Sequence, residues 1–252
     1  MNKHLSFRSG NPALTKNTFK NITYSNDNRM TLEGTVNKTI LALILLLFSA
    51  TYTFSTQQTG LIGVGFIGGF ILALVTIFKK EWAPYTVPAY AVLEGLALGG
   101  VSLIFDKMYP GIAQQAIMLT FGIFGALLFA YKSRIIQASE NFKLGIFAAT
   151  VGIGLAYFIN LIVFWISGEP FHFMTIGQPG SPAPLMSIGF SLFVVLIAAL
   201  NLVLDFDFIE EASEKGAPKY MEWYGVFGLL VTLVWLYLEI LRLLAKLNSR
   251  RN

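Results

Sequence analysis

Seven apolar runs constrain this chain more than anything else in its sequence, at least six of them longer than the roughly 17 residues that cross a ~30 Å hydrocarbon core. They fall at about residues 39–55, 60–78, 84–105, 111–131, 143–167, 186–208 and 224–247. Inside a bilayer no water bonds the backbone, so a run of this length has to satisfy its own N–H and C=O groups as a helix. The expected fold is an all-α polytopic membrane protein with seven transmembrane helices. A polar arm (1–38) precedes the transmembrane domain (39–247), and a short basic tail (248–252) follows it. Charge content agrees: 13% of the residues are charged, against about a quarter in a soluble domain that must hydrate its whole surface.

The net charge of +4 does not point to nucleic acid, because it lies mostly in short segments between apolar runs, where it orients the protein. Lys3, Arg8, Lys16, Lys20, Arg29 and Lys38 fall in the arm. Lys79 and Lys80, then Lys132, Arg134 and Lys143, then Lys215 and Lys219 occupy alternate connections, and the intervening ones carry Lys107 or nothing. The N-terminus is therefore expected in the cytoplasm. Seven crossings would leave Lys246, Arg250 and Arg251 outside, so the last run either crosses against the rule or re-enters. Its length favours crossing. The arm lacks an apolar h-region, which leaves the first helix as the insertion signal. The one long connection, GEPFHFMTIGQPGSPAPL at 168–185, holds four prolines and three glycines and is expected to be irregular.

Ionisable residues inside the runs are the candidates for chemistry, since each costs about 2.5–3.5 kcal/mol at the centre of a membrane helix. Glu94 sits near the middle of the third run, Asp205 about two turns beyond the middle of the sixth, and Glu239 within the seventh. Each also has a plainer reading. Glu94 can bond a neighbouring helix, Asp205 and Asp207 can reach interfacial water from a helix end, and Arg242 can neutralise Glu239 at a spacing of three. Glu210, Glu211, Glu214 and Glu222 read as solvated loop charges. Asn201 shares a helix face with Asp205, and Thr232 with Glu239. If those faces meet, they form a polar seam in an apolar bundle. Burial disfavours the charged form of a carboxylate, so cation passage along such a seam would respond to pH.

Glycine pairs at 65/69, 95/99, 122/125 and 152/154 read as architecture, the four-residue pairs above all, because small residues at that spacing let helix backbones approach closely. An enzyme is not expected. There is no cysteine for thiol or zinc-thiolate chemistry, and no HExxH, GxGD or Walker pattern. His4 and His172 lie outside the runs, and no serine–base pair is evident.

The segment LDFDFIEEASEKGAPKYMEWYGVFGLLVTLVWLYLEILRLLAKL at 204–247 resembles the Bax inhibitor-1 family of membrane proteins. SGNPAL at 9–14, MTLEGTVNK at 30–38 and EGLALGG at 94–100 resemble its bacterial branch. The resemblance implies six helices surrounding a central C-terminal helix, and a pH-sensitive calcium leak controlled by two aspartates on the last two helices. It also implies a bacterial plasma membrane as location and, in eukaryotes, a link to suppression of cell death. Asp205 matches the first aspartate. Matching LYLE to the family's LYLD gives Glu239 as the second, whereas aligning on the final RLL gives Thr232. Lys79 and Lys80 stand near the family's latch arginine, and a lysine cannot form arginine's bidentate fork.

A pH-sensitive cation leak, with calcium as the transported ion and no cofactor, is the leading expectation. A proton-coupled transporter (calcium/proton exchange) and a non-transporting regulator of other membrane proteins are the alternatives. Partners beyond the lipid bilayer would then be membrane proteins, not nucleic acid. The orientation is testable without the family: a cysteine at Ser181 should react with an impermeant maleimide on intact cells, and one at Ser139 only after lysis. The opposite pattern would overturn it.

Overall fold

The computed structural model describes residues 29–251. Most of the polar arm, including SGNPAL, His4 and four of its basic residues, and the last residue of the tail lie outside the described residues. Seven helices long and apolar enough to cross a membrane are present among the described residues. They are α1 (Leu32–Thr56), α2 (Leu61–Phe78), α3 (Ala83–Met108), α4 (Ile112–Lys132), α5 (Glu140–Ser167), α6 (Leu185–Glu214) and α7 (Met221–Asn248). Each covers its apolar run. Two extend well past it for local reasons. α1 starts at Leu32 because Thr31 caps it, its hydroxyl accepting from Gly34 N at 3.0 Å. α6 continues through the acidic EEASE stretch to Glu214, and Gly216 at φ 65° then turns the chain.

Burial separates the helices by role. In their most apolar windows α7 is 72% buried, α3 (with its preceding turn) 61% and α6 56%, while α1, α2, α4 and α5 range from 11% to 28%. The last four give most of their surface to lipid, and Phe66, Phe70, Phe129, Leu155 and Phe158 are among the side chains exposed on them.

The chain forms two compact units, one of residues 29–104 and Asp205–Val231, the other of Phe105–Leu204 and 232–251. In the first, glycines set the helix spacing. A Cβ at Gly95 would lie 2.2 Å from Leu46 O, one at Gly99 2.2 Å from Ala50 O, and one at Gly65 2.5 Å from Leu93 O. α1, α2 and α3 therefore touch backbone to backbone, and Thr76 Oγ1 bonds Thr86 Oγ1 at 2.7 Å between α2 and α3. The pairs four apart carry these contacts. Gly122, Gly125, Gly152 and Gly154 meet nothing within 4 Å, so those two pairs are not packing sites among the described residues.

In the second unit, Ile146 and Ile153 of α5 pack with Val194, Ile197 and Leu204 of α6, and Trp235 of α7 lies against them. The 168–184 connection is irregular as expected, with one helical turn at His172–Met174 and a bridge between Gln178 and Ser181. It is tied down at both ends. Phe171 N donates to Asn160 Oδ1 at 2.8 Å, and Ser187 Oγ to Thr175 O at 2.7 Å. The tail closes on it too: Ala183 N donates to Ser249 Oγ, and Arg250 Nη1 to Ala183 O. α7 is thus one unbroken helix of 28 residues, roughly 42 Å long, and its C-terminal end sits with the 168–184 connection. In length and composition it is a helix that can cross a membrane. Two of the three basic residues that strained the charge rule are tied into the fold, Lys246 at 3% exposure and Arg250 bonded to the connection, while Arg251 is exposed.

Gly95→Ala and Gly99→Ala should each lower thermal stability in detergent, by about 1–3 kcal/mol. Gly152→Ala, in open space, should be neutral or gain up to ~1 kcal/mol from helix propensity. Equal effects at the three positions would contradict the close approach.

Candidate functional site

The three acids singled out in the sequence are all withdrawn from the surface. Asp205 is 0% exposed, Glu239 1% and Glu94 7%. Asp205 is not near a helix end, because α6 runs nine residues further. Asp207, two residues on, is half-buried. Glu94 lies against α2 where that helix has no side chain, and a Cβ at Gly69 would come 2.8 Å from Glu94 Oε2. One turn earlier on α3, Tyr90 meets Phe227 of α7 edge to face at 5.3 Å.

Glu239 has the best-defined surroundings. Arg242 Nη1 donates to its Oε1 at 2.9 Å, the same-face ion pair that the spacing of three allows. Tyr157 OH of α5 donates to the same oxygen at 2.7 Å. The Arg242 guanidinium lies over the Tyr157 ring, 5.5 Å from its centre. Glu239 Oε2 is buried with no hydrogen-bond partner among the described residues. Asn201 donates its amide to Thr150 Oγ1 of α5 and to Ile197 O, each at 2.9 Å. Asn201 and Glu239 therefore both bond to α5. Thr232 is buried at 3% exposure. Of the latch cations, Lys79 is exposed, and Lys80 Nζ lies over the Tyr224 ring, 5.6 Å from its centre.

Two groupings escaped the sequence. Glu222, read there as a solvated loop charge, is fully buried in the first turn of α7. Its carboxylate accepts Thr31 N and Thr31 Oγ1, both at 2.9 Å, and pairs with Lys38 and Lys219. The correction has a plain cause. Two helix starts converge there, α1 through Thr31 and α7 through Glu222 itself, and negative charge is favoured at both. Lys219, three residues before Glu222, was the available signal. The other grouping is Lys246, which donates to Ser191 Oγ at 2.8 Å and to Ser187 O at 3.1 Å. A serine–lysine contact does exist, with the ammonium as donor, and it joins the end of α7 to the start of α6. Tyr157 and Asn160, polar positions within AYFINLIVF, could have been noticed.

Outside the helices, burial and the Glu81 carboxylate push the Tyr220 phenol up, so it stays a neutral donor at physiological pH. No group of three or more metal-ligating side chains forms among the described residues.

Acidic side chains shut inside membrane-length apolar helices define a polytopic membrane protein with an ionisable interior. The chain belongs to the Bax inhibitor 1-like family, whose model matches residues 11–249. No curated protein and no solved structure matches it.

Glu222→Gln should cost about 1–3 kcal/mol, because it leaves buried donors mismatched. Lys219→Met, whose side chain is 44% exposed, should cost at most ~1 kcal/mol. Thermal unfolding in detergent measures both, and an inverted order would discredit the buried-anchor role of Glu222.

Proposed function

We propose that this protein is a non-enzymatic, pH-sensitive cation leak of a bacterial plasma membrane, with calcium as cargo and the N-terminus in the cytoplasm. The observation that carries the reading is the burial of Asp205, Glu239 and Glu94 inside helices otherwise suited to hydrocarbon. A membrane protein retains such groups at a cost of several kcal/mol, and ion and proton pathways are the usual reason. Family membership supports the reading, since a calcium leak governed by acids on the last two helices is what that resemblance implies. Asp205 is the first acid. Glu239 is preferred over Thr232 as the second, because it is a carboxylate with one oxygen still unmatched. Of the three candidate latch cations, Lys79, Lys80 and Arg242, Arg242 is the one paired with Glu239 and takes the role of its counter-cation.

A neutral carboxyl neither attracts a divalent cation nor holds an ion pair, so the pH dependence of flux should depend on these side chains. In liposomes loaded with a calcium reporter, Asp205→Asn, Glu94→Gln and Glu239→Gln should each alter flux or its pH midpoint, while Thr232→Val should leave the midpoint in place. If the three acid variants, folded, leak calcium like the parent at every pH, the ion-path reading fails.

A further inference from the structure

Between α5 and α7 the second unit carries an open cleft of about 420 Å³. Its α5 wall is mixed, with Leu161 and Phe164 exposed beside the polar Tyr157 and Asn160. α5 is only 11% buried over its most apolar window, so the cleft opens toward lipid. Its unspent polar groups are donors. Arg242 is 38% exposed, and its ion pair occupies one of five N–H groups. Asn160 accepts Phe171 N with Oδ1 at 2.8 Å, which leaves the N–H pair of its amide for another acceptor. The one acid among the lining residues is withdrawn. Glu239 is 1% exposed, its Oε1 accepts from Arg242 and Tyr157, and its Oε2 is fully buried. Positive charge continues along the same end of the chain in Lys246, Arg250 and Arg251.

A lipid-facing cleft with two sets of unspent donors, and with its one acid sealed away, is complementary to the anionic head of an amphiphile. We propose that it binds a phospholipid of net negative charge whose head is an uncharged polyol, the glycerol head group. The phosphate sits on the Arg242 guanidinium, whose planar fork suits it, and the Asn160 amide donates to a further phosphate oxygen. Arg242 lies six residues before the end of α7 and Asn160 seven before the end of α5, roughly 9 and 10 Å along each axis. Both donors therefore stand at the level that phospholipid head atoms reach, and an acyl chain runs inward past Leu238 and Trp235. A choline or ethanolamine head brings a cation beside Arg242, where no carboxylate oxygen is open to receive it. A free phosphate ion lacks the chain that the apolar part of the wall covers. The site does not rest on ion conduction, and its test reads binding rather than flux.

The test is native mass spectrometry of the full chain with equimolar glycerol, choline and ethanolamine phospholipids of identical acyl chains, and separately with inorganic phosphate. One glycerol lipid should be retained over either zwitterionic lipid by at least about tenfold, the scale of one hydrogen bond to a charged group. Arg242→Gln should bring that ratio close to one. Asn160→Asp keeps an acceptor for Phe171 N but replaces the amide donors with negative charge, and should cut retention of the glycerol lipid about tenfold. Arg251→Gln removes an exposed cation at the same end of the chain that does not line the cleft, and should leave the ratio as it is. Equal retention of the three lipids by the parent protein overturns the proposal, as does preference for a zwitterionic lipid or retention of inorganic phosphate in place of lipid. A loss in Arg251→Gln as large as in Arg242→Gln also overturns it, since diffuse charge would then suffice. The lipid comparison on the parent and on Arg251→Gln decides the matter even if a cleft variant fails to fold.

Discussion

Water does not reach the middle of a bilayer, so a polar group placed there must find its partner within the protein. The seven long helices answer this for the backbone, and the side chains answer it in three different ways. Hydroxyls return their hydrogen to the turn behind them, as Thr39 does to Thr35 O and Thr120 to Ala116 O, at 2.9 and 2.8 Å. Amides and tyrosines cross to a neighbour, as Asn201 does to Thr150 and Tyr157 to Glu239. Charges gather in pairs and clusters, with partners one turn away, as Arg242 is from Glu239, or far along the chain, as Lys38 is from Glu222.

The fold was largely legible, because a run of apolar residues as long as a bilayer is thick admits one regular structure. The four-residue glycine pairs were legible for a related reason: a missing side chain every fourth residue leaves a groove along one helix face. The pairs at other spacings do not line up in that way, and their surroundings are open. The tail was harder. The charge rule counts basic residues as if all stood in water, whereas Lys246 is buried and Arg250 is spent on a backbone carbonyl.

The interior acids were visible as anomalies, and the partner of Glu239 on its own helix could be read from spacing alone. What no spacing reveals is a contact between helices far apart in sequence, such as Tyr157 with Glu239, 82 positions apart. Glu222 shows the same limit more sharply. In the sequence it sits among other acids beside a turn, in the company of charges that do reach water. In the fold it is sealed between two helix starts, with a lysine on either side of its carboxylate.

That contact also has a history in time. Thr31 and Glu222 are 191 positions apart, and a ribosome adding about 5–20 residues per second separates them by roughly 10–40 s. Throughout that interval α1 exists without the carboxylate that holds Thr31 and Lys38. α1 must wait for the start of α7, and the seam between Thr31 and Glu222 cannot close before then. A chain cut short of Glu222 therefore lacks the carboxylate that Thr31 and Lys38 share.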